Sequence, residues 1–134
     1  MKTYLFIALG TLIGGGARYA AILIAKSANL DGFPWDTIAV NLLGSFLIGL
    51  LAAWFMRADR NQQTAHWEHF LMTGVCGGFT TFSFLSWQAL QLWMDQAYTP
   101  AVFFALANVL GSLVAVTLGF ACVGTEDSVS NGNS

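Results

Sequence analysis

Four apolar stretches, at about residues 4–25, 37–56, 70–92 and 100–123, are each long enough to cross a membrane and are joined by short polar links. A hydrocarbon core about 30 Å thick needs about 20 helical residues, so each stretch reads as a transmembrane helix. Composition agrees: 56% of the residues are hydrophobic and only 9% charged, against about 25% charged in a soluble domain. The expected fold class is an all-α membrane protein with one four-helix domain over 1–123, followed by a disordered polar tail over 124–134 that has little to bury. A cleaved signal peptide is the competing reading of the first stretch. That stretch is long for a signal core, carries Arg18 and shows no convincing small-x-small cleavage site, so it stays a span. A formal charge of -2 without a basic patch argues against nucleic acid as a partner. Cys76 and Cys122 lie in apolar stretches and read as small buried residues, not as a disulfide or a metal pair.

The third stretch departs from the composition of an ordinary membrane helix. Gly74-Val75-Cys76-Gly77-Gly78-Phe79-Thr80-Thr81-Phe82-Ser83 gathers three glycines, two threonines and a serine in ten residues. Glycine disfavours helix by about 1 kcal/mol relative to alanine, and adjacent Gly77-Gly78 followed by β-branched Thr80-Thr81 marks the expected point of unwinding. Freed backbone groups persist at membrane depth only where protein buries them, or where they line a polar cavity or bind an ion. This segment is therefore the expected centre of both structure and function.

Other polar residues fall on the remaining spans. Gly10 and Gly14 form a GxxxG pair extended by Gly15-Gly16, a surface bare enough for a second helix to approach. Arg18, inside the same span, either snorkels outward or attracts an anion. Asn41 and Ser45 are four apart and share a face with Gly44 and Gly49 beside it, so Asn41 either bridges helices or lines a wet path. On the fourth span, expected to start at Pro100, Ala107, Gly111, Ala115 and Gly119 make a small-residue stripe next to Asn108, Ser112 and Val116. The links read as loops. One carries the turn formers Asn29, Asp31, Gly32 and Pro34, and the other, 57–69, holds His66 and His69 on solvated surface, with no further ligand to complete a metal site.

With these residues in view, the chain resembles the fluoride channel family known as CrcB or Fluc. The likeness covers about residues 4–123 and rests on motifs in order: Gly-Gly-Gly-Ala-Arg ending at Arg18, Val-Asn-Leu-Leu-Gly-Ser around Asn41, the Gly74–Ser83 run, and Asn-Val-Leu-Gly-Ser ending at Ser112. The resemblance implies an antiparallel, dual-topology homodimer in the bacterial inner membrane, with two separate pores that export fluoride passively. It also implies a structural sodium ion at the dimer axis, held by backbone carbonyls of Gly77 and Thr80 from both subunits. By the same likeness the pore residues are Asn41, Phe82, Asn108 and Ser112, with Arg18 at the vestibule. Phe82 would present its ring edge, the positive part of the quadrupole, to the anion.

Two departures stand out. Where the family usually reads Phe-Ser-Thr-Phe, this chain reads Phe82-Ser83-Phe84-Leu85, which displaces the second ring by about 100° on a helix. Either Leu85 takes the ring's place or Phe84 turns in; the expectation is Leu85, with altered or lower throughput. Val116 stands where a hydroxyl often continues the fourth-span polar track, and neighbouring Thr117 faces about 100° away. Charge gives only a weak topology signal: Lys2, Arg57 and Arg60 lie on one side and Lys26 on the other, which is compatible with insertion in both orientations. The rival function is a small dual-topology proton-coupled multidrug exporter, which needs a carboxylate within the membrane, and no Asp or Glu lies within the four stretches. An enzyme is not expected, since no carboxylate sits in a span to serve a serine or cysteine nucleophile.

Overall fold

The computed structural model describes residues 2–27, 32–58 and 62–124. Asn29, Asp31, Arg60 and the tail beyond Gly124 lie outside the described residues. Every regular element among the described residues is helical: α1 (Lys2–Ser27), α2 (Trp35–Arg57), α3 (Gln62–Glu68), a π-helical segment (His69–Cys76), α4 (Gly77–Phe79), α5 (Phe82–Met94) and α6 (Tyr98–Gly124). Among the described residues, four helical spans are long and apolar enough to cross a membrane, the third running from Gln63 to Met94.

That third span starts earlier than expected. Residues read as a solvated loop are helical because α3 docks on α1: the His66 ring stacks on Phe6 with centroids 5.5 Å apart, while Trp67 and Phe70 meet Phe6 edge-on. Thr3 Oγ1 lies 3.4 Å from His66 Nδ1. Polar composition signalled a loop; an aromatic contact between two spans overrides it. The fourth span likewise begins at Tyr98, which keeps Pro100 within the first turn of the helix.

Two tight helix pairs organise the chain. Helix α1 lies along the π segment and α4, and α2 lies along α6. In the first pair a Cβ at Gly14 would run into the Val75 carbonyl, and one at Gly78 would come within 2.6 Å of the Thr11 carbonyl. In the second pair a Cβ at Gly49 would strike the Val116 carbonyl, and one at Gly119 the Phe46 carbonyl. Without side chains at these crossings the backbones themselves are in contact, which maximises dispersion in a solvent that offers no hydrophobic drive between helices. The Arg57 guanidinium donates to the Val123 carbonyl, tying the end of α2 to the last turn of α6. Cys76 is buried, but Cys122 is exposed on α6, so the expectation of two buried thiols holds for only one of them.

Helix α5 ends in a Schellman motif. The Ala97 N–H donates to the Leu92 carbonyl (2.9 Å) and the Gln96 N–H to the Trp93 carbonyl (3.1 Å). Gln96 carries the left-handed residue of that motif, at φ 61°, where glycine is usual. Gln96→Gly is expected to raise stability by about 1 kcal/mol by relieving the Cβ clash of the left-handed conformation. A thermal melt in detergent with an unchanged or lower midpoint would show that this strain is absent.

Candidate functional site

The site is built around two residues of extended backbone between α4 and α5. Gly77 and Gly78 remain helical; the chain leaves the helix at Thr80 (φ -75°, ψ 157°) and Thr81 (φ -151°, ψ 119°). Within the stretch expected to unwind, the departure falls at the threonine pair and not at the glycine pair. Gly78 is small because α1 presses on it, whereas Gly77 is exposed and nothing within the chain crowds it. At the threonines, β-branching and side-chain hydroxyls that bond the backbone favour extended geometry.

Asn41 holds this interruption. The Thr81 N–H donates to Asn41 Oδ1 (2.9 Å), and Asn41 Nδ2 donates back to the Thr81 carbonyl (3.3 Å). The second Nδ2 hydrogen goes to Asn108 Oδ1 at 2.8 Å, and Asn108 Nδ2 donates to the Phe104 carbonyl at 2.9 Å. Both asparagines are buried, Asn41 to 7% exposure and Asn108 to 2%. The alternatives left open for Asn41 resolve toward bridging: one amide joins α2, the interruption and α6, and both of its N–H groups are engaged within the chain.

These bonds redirect the helical ladder. In an unbroken helix the Thr81 N–H would donate to the Gly77 carbonyl and the Phe84 N–H to the Thr80 carbonyl. The first goes to Asn41 instead, and the second goes to Thr81 Oγ1 (3.2 Å), which caps α5. The carbonyls of Gly77 and Thr80 thus lose their helical donors. Thr80 is itself anchored, its N–H and Oγ1 both donating to the Cys76 carbonyl at 2.9 Å and 3.0 Å. Its methyl sits where a side chain on Gly44 would project, so the glycine admits the threonine against α2.

Beside the interruption runs a groove, open on one side. Asn41, Thr81, Phe82, Leu85, Asn108 and Ser112 line it, together with Ser45, Thr80 and the apolar Ile48, Val109, Leu113 and Val116. The structure therefore brings Asn41, Phe82, Leu85, Asn108 and Ser112 together and leaves Phe84 out. Phe82 is 76% exposed, projecting from the open edge, whereas Leu85 is buried against Ile38 and Phe104. Phe84 lines a second recess with Arg18, Tyr19, Thr81, Ser83 and Trp87, on the α1 side of the interruption. Thr81 borders both spaces. Arg18 is half-buried there, and its guanidinium has no partner among the described residues. Ser45 was visible in the sequence as a face-mate of Asn41, but its place in the groove depends on how α2 meets α6.

These features define an integral membrane protein of four spans whose third span carries a polar, non-helical interruption clasped by buried asparagines. The chain belongs to the CrcB-like family, described as Camphor Resistance (CrcB), which matches residues 5–120. Among curated relatives it is 40% identical over 119 residues to the fluoride-specific ion channel FluC of Paramagnetospirillum magneticum, covering 89% of this chain and 93% of that one. It is 43% identical over 123 residues to the FluC of Opitutus terrae, covering 89% and 90%. To the FluC of Thermus thermophilus it is 37% identical over 120 residues, covering 90% and 94%. It is a multi-pass membrane protein of a transporter family and not an enzyme.

Proposed function

We propose that the chain is a passive, fluoride-selective channel. The observation that carries this reading is the groove itself: neutral hydroxyl and amide groups and a projecting phenyl ring, with no acidic residue among its lining. Fluoride is small and strongly hydrated, so a path for it must replace water with donors that hold it weakly enough to release it. Relatives of similar length that carry the name fluoride-specific ion channel support the choice of ion. No lining carboxylate is available to exchange a proton, which disfavours the coupled multidrug exporter. Arg18 in the neighbouring recess would draw anions toward the interruption.

The working unit in this reading is an antiparallel homodimer. A groove open along one side needs a wall, and a second copy supplies the same apolar surface back to it. The dimer axis would pass near Gly77, which is exposed and has no intrachain neighbour that requires a glycine. The carbonyls of Gly77 and Thr80, deprived of their helical donors, are hard oxygen ligands suited to sodium, and two copies would supply four of them. When bound, such an ion would neutralise the negative ends of those carbonyl dipoles in the middle of the membrane.

Purified protein in liposomes loaded with fluoride is expected to release it at a rate set by the fluoride gradient alone, followed with a fluoride electrode. Efflux that appears only with an imposed proton or sodium gradient would exclude a channel, and silence under every gradient would exclude fluoride transport.

A further inference from the structure

Hydroxyl groups on membrane helices usually bond back to a carbonyl one turn earlier, which hides the donor from the surroundings. Four such groups here do so. Thr11 donates to the Ile7 carbonyl at 2.9 Å, Ser86 to Phe82 at 2.9 Å, Thr80 to Cys76 at 3.0 Å and Thr117 to Leu113 at 3.1 Å. Ser45 and Ser112 are different. Both are half-buried, both line the groove, and neither hydroxyl has a partner among the described residues.

We infer that Ser45 is a specificity-determining donor to the permeating anion, acting in the groove with Ser112; this rests on the channel reading above. The N–H groups of Asn41 are engaged with Thr81 and Asn108, and Thr80 Oγ1 donates to the Cys76 carbonyl; the Thr81 hydroxyl accepts the Phe84 N–H but keeps its own hydrogen, for which the nearest acceptor is Ser83 Oγ at 3.5 Å. The remaining lining of α2 and α6 is aliphatic apart from Asn108, one of whose N–H groups is held by Phe104. An anion that leaves water in this groove therefore meets the Thr81 hydroxyl at the interruption and three further donors on α2 and α6, the second N–H of Asn108 and the hydroxyls of Ser45 and Ser112. Asn41 serves as a positioning residue that fixes the interruption beside them.

The test uses full-length protein in liposomes and reads fluoride efflux against fluoride concentration for the unmodified chain, Ser45→Ala, Ser45→Thr and Thr117→Val. Hydrogen bonds to a charged group contribute enough that losing one raises the half-saturating concentration by roughly tenfold or more. Ser45→Ala is expected to show that rise, Ser45→Thr to stay within about threefold because it keeps the donor, and Thr117→Val to match the unmodified chain. Gel-filtration elution of each variant at the unmodified volume separates donor loss from misfolding. An unmodified chain that conducts alongside a Ser45→Ala chain with the same half-saturation overturns this inference and leaves the channel reading intact. Equal losses in Ser45→Ala and Ser45→Thr also overturn it, because packing and not donation would then be the cause. An unmodified chain that passes no fluoride overturns both.

Discussion

An Asn41→Leu chain is expected to lose fluoride efflux altogether and to melt well below the unmodified protein. Leucine is close to asparagine in size, so the change removes three hydrogen bonds while filling the same space. It leaves the Thr81 N–H and the Asn108 Oδ1 buried without partners, each at a cost of about 1–3 kcal/mol, while the Thr81 carbonyl keeps its place at the start of the α5 ladder. Losses of that order exceed what a single span contact returns, so the segment around Thr80 and Thr81 would rewind or repack. Asn41→Asp provides an internal comparison. It keeps an acceptor for the Thr81 N–H but cannot donate to the Thr81 carbonyl or to Asn108, and as an anion it would repel the transported ion. Efflux from both variants in liposomes, alongside thermal melts, checks this. Normal transport by Asn41→Leu would show that the asparagine clasp is dispensable and that the geometry of the interruption is set elsewhere.

The second large effect is steric. Gly14→Leu is expected to prevent accumulation of a folded protein, and Gly119→Leu to do the same through the other helix pair. At each position the obstruction is backbone, the Val75 carbonyl for Gly14 and the Phe46 carbonyl for Gly119. A flexible side chain could swing aside, but a helix backbone moves only as a unit. The cost should therefore reach or pass the roughly 3 kcal/mol upper range of ordinary overpacking. Gly16→Leu, at a position where a side chain would meet nothing in the chain within 4 Å, is the matched comparison for folding of the single subunit. Membrane yield and elution profile decide the matter. A Gly14→Leu protein that folds as well as Gly16→Leu would mean that α1 is not locked against the third span.

Several parts of the site were legible for simple reasons. Asn41 and Asn108 are amides in apolar helices, and an amide in hydrocarbon needs a partner, so each announced a contact before its partner was known. Leu85 and Phe84 differ by one position, and helical rotation alone separates them, so their placement in different spaces follows from about 100° per residue. His66 was misread because a polar link and an amphipathic first turn look alike in one dimension; the Phe6 ring that makes it helical lies 60 positions away in the chain. The stretch from Gly77 to Thr81 was expected to unwind on two grounds, of which β-branching at Thr80 and Thr81 is the one that operates; Gly78 serves close helix approach instead.

The amino-acid sequence by itself determined that this chain is a membrane protein of four helices, because the length of an apolar run against the thickness of a bilayer is a one-dimensional property. It also determined which polar residues would have to find partners. Only the tertiary structure decided who those partners are: that Asn41 clasps Thr81, that Gly14 meets Val75, and that Ser45 and Ser112 share a groove with free hydroxyls. The spans are set by local transfer energies, while pairing depends on the shapes of surfaces far apart in the chain, and periodicity within one helix does not specify which other helix will fit it.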